Sequence, residues 1–513
     1  MRLLFSLVLF FSTGYSHAQQ LVLPADHPDP SVVKIGTEYW AAGTTSNWFP
    51  AFTLYRSKDL VNWKASGHVF NQMPDWADYY MWAPEITYEN GKVYLYYTGH
   101  KKGGSLCIAA AVADKPEGPY RDLGPLMCEA DGSIDAFPMR DEQGKLYMIW
   151  KEDGNSKGKP TPIWAQEMKE DRTGLLGQKK ELFRADSPWE KGLVEGVSII
   201  QRQGYFYAFY AAAACCGKTC SYGTGVARAK NLLGPWEKFP GNPILADNED
   251  WKCPGHGTPV EKDGRFYYLY HGYSTASGAY GGRQGLLSEF AFTPDGWLKF
   301  IDQPGNKGPA MPATITDLFN GKELDDAWHW SVFQPVQAKV TQNTLQLQAL
   351  PGNGGAYVGR SVMTAHYDAQ VTLQKNSTAE AGLALVGDDK NMVYASVNKT
   401  GIRLVQLKKD QQTLLMETTI PNAASLVLKV QVTDNTGARF LYSTDGKQFK
   451  PLNADPVDIT FLPPWDRAVR IALLAKGPAS QQAFFKKFRV NNQPGNLLAK
   501  PAVSPSGVSA ARR

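Results

Sequence analysis

Along roughly the first three hundred residues, one hydrophobic pattern recurs five times: a turn glycine followed by an alternating, aromatic-rich run. The copies are Gly36-Thr-Glu-Tyr-Trp40, Gly91-Lys-Val-Tyr-Leu-Tyr-Tyr97, Gly144-Lys-Leu-Tyr-Met-Ile-Trp150, Gly204-Tyr-Phe-Tyr-Ala-Phe-Tyr210 and Gly264-Arg-Phe-Tyr-Tyr-Leu-Tyr270. Successive glycines stand 55, 53, 60 and 60 residues apart. Short aromatic strands behind turn residues at that period predict the blades of a β-propeller, each a four-stranded antiparallel sheet. Three copies carry a similar later turn, at Lys58–Trp63, Lys115–Tyr120 and Asn231–Trp236. No long stretch has the 3.6-residue period of an amphipathic helix.

The pattern breaks at Gln303-Pro-Gly-Asn-Lys-Gly-Pro-Ala-Met-Pro312, which reads as a linker. From Ile315 onward, runs such as Thr344-Leu-Gln-Leu-Gln-Ala349 and Leu426-Val-Leu-Lys-Val-Gln-Val432 alternate apolar and polar residues between polar turns, predicting a β-sandwich. The expected organisation is all-β: a five-bladed β-propeller over 19–305, a linker over 306–314, a sandwich over 315–490 and a disordered tail over 491–513. Residues 1–18 have a basic start, an apolar run from Leu3 to Phe11 and the small-residue ending Ser16-His17-Ala18. That is the pattern of an export signal, too short to span a membrane, and it predicts a secreted or periplasmic protein.

Composition changes this picture little. A net charge of +5 over 513 residues, with no basic cluster interleaved with aromatics, argues against a nucleic-acid partner. The 14 Trp and 24 Tyr suit both β-sheet cores and faces that stack on sugar rings. Six cysteines, at 107, 128, 215, 216, 220 and 253, form an even set for an oxidising compartment. The Cys215-Cys216-x-x-x-Cys220 group contains no His, so disulfides are favoured over zinc.

Candidate chemistry follows from the register of the repeats. The innermost strand of a blade runs along the central channel, so polar residues shortly before each repeated glycine can point into it. They are Asp29, Glu85, Asp135, Glu195 and His256, at offsets of 7, 6, 9, 9 and 8 residues from the next glycine. One such carboxylate would be an ordinary turn or cap residue. Several carboxylates converging on one axis destabilise a fold unless the site has a use. Glycosidic hydrolysis supplies one, because it needs a protonated carboxyl for the leaving oxygen and an ionised one to activate water or attack directly.

In this order and spacing, His27-Pro-Asp-Pro30, Trp82-Ala-Pro-Glu85, Ser133-Ile-Asp135, Glu195-Gly196 and Gly255-His256 resemble glycoside hydrolase family 43 over about residues 22 to 300. This is a family of five-bladed propeller enzymes acting mainly on arabinose- and xylose-containing polysaccharides. The resemblance implies an inverting mechanism with Asp29 as general base, Glu195 as general acid, and Asp135 orienting the acid and adjusting its pKa. It implies that Arg283 reaches the sugar, that Glu85 supports the pocket and that no cofactor is required. A structural calcium beside His256 is an option, with a satisfied core histidine as the alternative. Trp82, Trp48 and Phe49 are candidate stacking faces, although core packing serves them equally. The opening Asp317–Trp330 looks like the concanavalin-type sandwich often appended to this family.

Departures from the family pattern are Glu195-Gly196-Val197, where Glu-Gly-Pro is common, and Asp135-Ala136, where Asp-Pro is commoner. The activity expected is that of an exo-acting α-L-arabinofuranosidase or β-xylosidase on arabinan- or xylan-type substrates. An endo-arabinanase and a non-catalytic glycan-binding propeller are the alternatives.

Overall fold

The computed structural model describes residues 19–301, 311–419 and 425–493. The expected export signal lies outside these residues, as do most of the linker and the tail beyond 493. Strands dominate the described residues, in a propeller followed by a sandwich.

Four blades are consecutive four-stranded antiparallel sheets whose innermost strands begin at Ser31, Ala77, Ser133 and Val194. The fifth, built on Trp251–Lys262, Arg265–Ser274 and Arg283–Phe292, takes its next strand from the chain's beginning. Gln20–Leu23 pairs with Arg283–Phe292, Gln20 opposite Leu287 and Leu21 opposite Leu286. The ring is closed by a strand from the other end of the domain, which hides an edge that would otherwise offer unpaired backbone groups. The five inner strands pack in sequence around the axis, the fifth against the first.

The repeated aromatic runs form the second strand of each blade, and their side chains fill the layers between blades. Tyr96 and Trp150 share one such layer, and Phe209, Tyr268 and Phe290 share another. Burying these rings removes large apolar areas from water, at about 25 cal/mol per Å². That packing holds the inner strands still while their ends carry polar groups.

The sandwich has a six-stranded and a nine-stranded antiparallel sheet. In Leu426–Thr433, the alternation read from the sequence corresponds to inward Leu428, Val430 and Val432 between less buried Lys429 and Gln431. Its first strand is Thr314–Asp317, and its last runs to Gln493, three residues past the expected end.

Trp48 and Phe49, the residues considered as sugar platforms, instead join the two units. Their short strand pairs with Trp330–Ser331 of the sandwich. Trp48 is 2% exposed within a sandwich cluster containing Tyr357, with Arg470 over its ring, and Phe49 meets the ring of Trp330 at 6.1 Å. Two buried faces committed to an interface are not free to stack on a ligand. Among the described residues no helix is long and apolar enough to cross a membrane.

Candidate active site

Each innermost strand reaches the axis through the same backbone device. Asp29, Ala83, Asp135, Gly196 and His256 all have positive φ, at 51°, 44°, 59°, 60° and 41°. In blades II to V, strand register slips at this residue, as in a β-bulge. A bulge bends its strand and re-aims a side chain, and non-glycine residues held at positive φ cost energy that active sites commonly store. The device also refines the register read from the sequence. Asp29, Asp135 and His256 occupy the positive-φ position itself, Glu195 precedes it by one residue and Glu85 follows it by two.

That offset separates the two glutamates. Glu195 lines a pocket of about 470 Å³ together with Asp29, Trp82, Asp135, His256 and Arg283. Glu85 lies outside this lining, buried where Thr258 Oγ1 donates to its Oε2 at 3.0 Å. Burial, opposed only by that bond, pushes its carboxyl up to about 8.

Asp29 and Asp135 have opposite electrostatic surroundings. Thr44 Oγ1 donates to Asp29 Oδ2 at 2.7 Å and Arg283 Nη1 donates to Asp29 Oδ1 at 3.0 Å. Burial opposes ionisation of Asp29, but the Arg283 guanidinium above all outweighs it and holds the carboxyl well below the usual range. His271 Nδ1 accepts the Asp29 backbone N–H at 3.0 Å. Burial lowers that imidazole to about 4, so His271 is a neutral acceptor rather than an ion-pair partner. Asp135 Oδ2 accepts the Gly196 N–H at 2.9 Å. Burial first, then the charges of Glu195 and Asp29, push Asp135 up to about 6 against the opposing pull of His256 and Lys151.

Glu195 is fixed at both oxygens. Tyr222 OH donates to Oε1 at 2.7 Å and Lys151 Nζ donates to Oε2 at 2.5 Å. Lys151 is 1% exposed and also donates to Asp153 Oδ1 at 2.9 Å and Asn155 Oδ1 at 3.0 Å. Its ammonium therefore keeps two partners whatever the state of Glu195. His256 Nδ1 stands 3.4 Å from Asp29 Oδ1 and 3.9 Å from Asp135 Oδ2, linking the first carboxylate to the second, which in turn holds the backbone beside Glu195.

The residues around His256 lend a calcium ion no support. Calcium takes six to eight oxygen ligands. Here the ring nitrogen faces carboxylates already engaged with Thr44, Arg283 and the Gly196 amide, and the described residues hold no group of three or more His, Cys, Asp or Glu suited to a metal.

The sandwich completes the pocket wall. Trp465 and Asp466, from a loop between its strands, line the pocket. Arg283 Nη2 donates to the Asp466 carbonyl at 3.0 Å, Ser46 Oγ donates to the Asp466 carboxylate, and Asp26 Oδ2 accepts the Ala468 N–H at 2.9 Å. The Trp465 ring, 52% exposed, stands perpendicular to Trp82 at 5.8 Å. Sequence reasoning placed Asp29, Asp135, Glu195, His256, Arg283 and Trp82 together, but missed Lys151, Tyr222, His271, Trp465 and Asp466. Of these only Lys151 left a signal, as the one charge closing the apolar run Tyr147-Met-Ile-Trp150.

A family profile described as Glycosyl hydrolases family 43 matches residues 18–298, and one described as Beta xylosidase C-terminal Concanavalin A-like domain matches 316–464. A xylan 1,3-beta-xylosidase of a Vibrio species is 30% identical over 272 residues, covering 49% of each chain. The match thus spans about half the length of that relative. A non-reducing end alpha-L-arabinofuranosidase of Bacteroides ovatus is 23% identical across 85% of this chain and 87% of its own. The solved xylan beta-1,4-xylosidase from Bacillus halodurans superposes with TM-score 0.79 at 22% identity, covering 92% of this chain and all of that one, a likeness of fold.

Proposed function

The chain belongs to glycosyl hydrolases family 43, and from that premise we propose that it is an exo-acting, inverting hydrolase removing arabinofuranosyl or xylosyl units from arabinan- or xylan-type chains. The observation carrying this reading is one pocket holding Asp29 and Glu195, each carboxyl fixed by its own donors, linked through His256 and Asp135. Asp29, held ionised by Arg283, takes a proton from the attacking water. Glu195 delivers a proton to the leaving oxygen, and the Tyr222 hydroxyl fixes the direction of its carboxyl. Asp135 aligns the acid through the Gly196 amide and places negative charge beside it. As Glu195 alternates between charged and neutral forms, Lys151 rests on Asp153 and Asn155.

Arg283 couples two tasks. One nitrogen steadies the base, and the other grips the backbone of the sandwich loop that carries Trp465. Closure of one side of the pocket by that loop supports exo over endo action, as do the relatives' names. The Cys107–Cys128, Cys215–Cys216 and Cys220–Cys253 disulfides suit an oxidising compartment and support export.

The test is incubation with aryl α-L-arabinofuranoside, aryl β-xyloside and debranched arabinan, alongside Asp29→Ala and Glu195→Ala. Release of single sugars by the wild type and large losses in both variants are expected. Cleavage within debranched arabinan would select an endo-arabinanase, and full activity in either variant would remove the acid/base assignment.

A further inference from the structure

The hairpin that carries Glu195 continues into a wall with no assigned purpose. Val194 pairs with Ala212 and Glu195 with Ala211. Just past this pair the chain turns through Cys215 and Cys216, sequence neighbours joined by a disulfide, both half-buried and lining the same pocket. A disulfide stabilises mainly by restricting the unfolded chain, more so for longer loops. Cys107–Cys128 and Cys220–Cys253 close separations of 21 and 33 residues, whereas Cys215–Cys216 closes one. Restriction of the unfolded chain therefore does not account for it.

Its surroundings hold it firmly against the pocket. Ser221 N–H donates to the Ala214 carbonyl at 2.8 Å, Gly217 N–H to Tyr273 Oη at 3.1 Å, and Cys220 is bonded to Cys253. Across the mouth, Lys218 Nζ donates to the Thr460 carbonyl at 2.9 Å, and Gly217 packs so closely that a Cβ there would lie 3.3 Å from the Trp465 carbonyl oxygen. Two linked sulfurs present a polarizable face without hydrogen-bond donors, suited to the C–H face of a sugar ring. With Glu195 acting at the leaving oxygen, a wall that continues its own hairpin is placed to meet the group that leaves.

We propose that the Cys215–Cys216 disulfide is a contact face for the leaving group, against which the first sugar ring beyond the scissile bond packs. This rests on Glu195 being the acid of the proposed function. The test compares the double variant Cys215→Ala/Cys216→Ala with wild type on two substrates of the accepted sugar. One is its disaccharide, whose leaving ring reaches the wall. The other is its glycosyl fluoride, whose leaving atom does not.

The expected result is a fall of about tenfold in kcat/KM on the disaccharide, equivalent to about 1.4 kcal/mol, with the fluoride unchanged within about twofold. Equal losses on both substrates, or no loss on either, would overturn the proposal. Should the double variant fail to fold, trialkylphosphine treatment of the wild type, limited so that only Cys215 and Cys216 are reduced and the other two disulfides stay intact, gives the same comparison. The phosphine and one water become phosphine oxide, the S–S bond breaks, and two thiols form, counted by alkylation and mass spectrometry. A parallel Glu195→Ala variant separates the premise. Loss on the disaccharide with activity kept on the fluoride marks the acid, and equal loss on both overturns that assignment and this proposal with it.

Discussion

Replacing Asp135 with Asn should make the protein more stable at pH 8 while making it a poor catalyst. The carboxyl is 8% exposed and titrates at about 6 in the folded chain, against an ordinary value of 3.8. Below pH 3.8 it is neutral in both states and costs nothing. As pH rises from about 4 to 6 the unfolded chain ionises first, so this group's contribution to stability falls, and the loss is complete above the folded value. The gap corresponds to about 3 kcal/mol at most. Asn keeps a carbonyl oxygen for the Gly196 amide, so the bond that aligns the acid survives. Urea unfolding of wild type and variant at pH 4 and pH 8 reads the difference. The expected gain is on the order of 1–3 kcal/mol at pH 8 and close to none at pH 4, with kcat falling at least about tenfold. A gain of equal size at both pH values, or a loss at pH 8, would refute this account of Asp135.

Arg283→Lys should cut kcat/KM by more than about a hundredfold although charge is kept. A single ammonium cannot hold both Asp29 Oδ1 and the Asp466 carbonyl, and steady-state kinetics would register the loss. Trp465→Ala should raise KM several-fold while changing the urea midpoint little, because the ring is half exposed and outside a core. Gly196→Ala should destabilise by about 1–3 kcal/mol in urea titrations and reduce activity. Its φ of 60° disfavours a side chain, and a Cβ would meet His256 Cγ at 2.7 Å.

The propeller was legible because its signal is local and repeated: a turn glycine and an aromatic strand, five times. The carboxylates were legible because each precedes such a strand by a nearly fixed distance. Closure by Gln20–Leu23 was not, since its partner lies across the domain and four residues carry too little pattern. Trp48 and Phe49 stayed open between ligand stacking and core packing for a similar reason. An aromatic pair in a loop looks alike whether it meets a sugar or another sheet, and only the pairing with Trp330–Ser331 decides. Trp465 and Asp466 come from a separate unit some 180 residues beyond Arg283, where nothing in the local sequence announces a pocket. The register itself was right in outline but coarse. By register alone Glu85 and Glu195 are equivalent and only the resemblance set them apart; the bulge positions, Ala83 and Gly196, leave one outside the pocket lining and the other within it.

The central claim is the division of labour between Asp29 and Glu195. It is tested most directly by measuring kcat/KM for each alanine variant over aryl glycosides whose leaving phenols span a wide range of pKa. The account predicts that the defect of Glu195→Ala grows steeply as the leaving group becomes a poorer one, while the defect of Asp29→Ala is large and nearly constant. The reverse pattern, or the same slope for both variants, would contradict it.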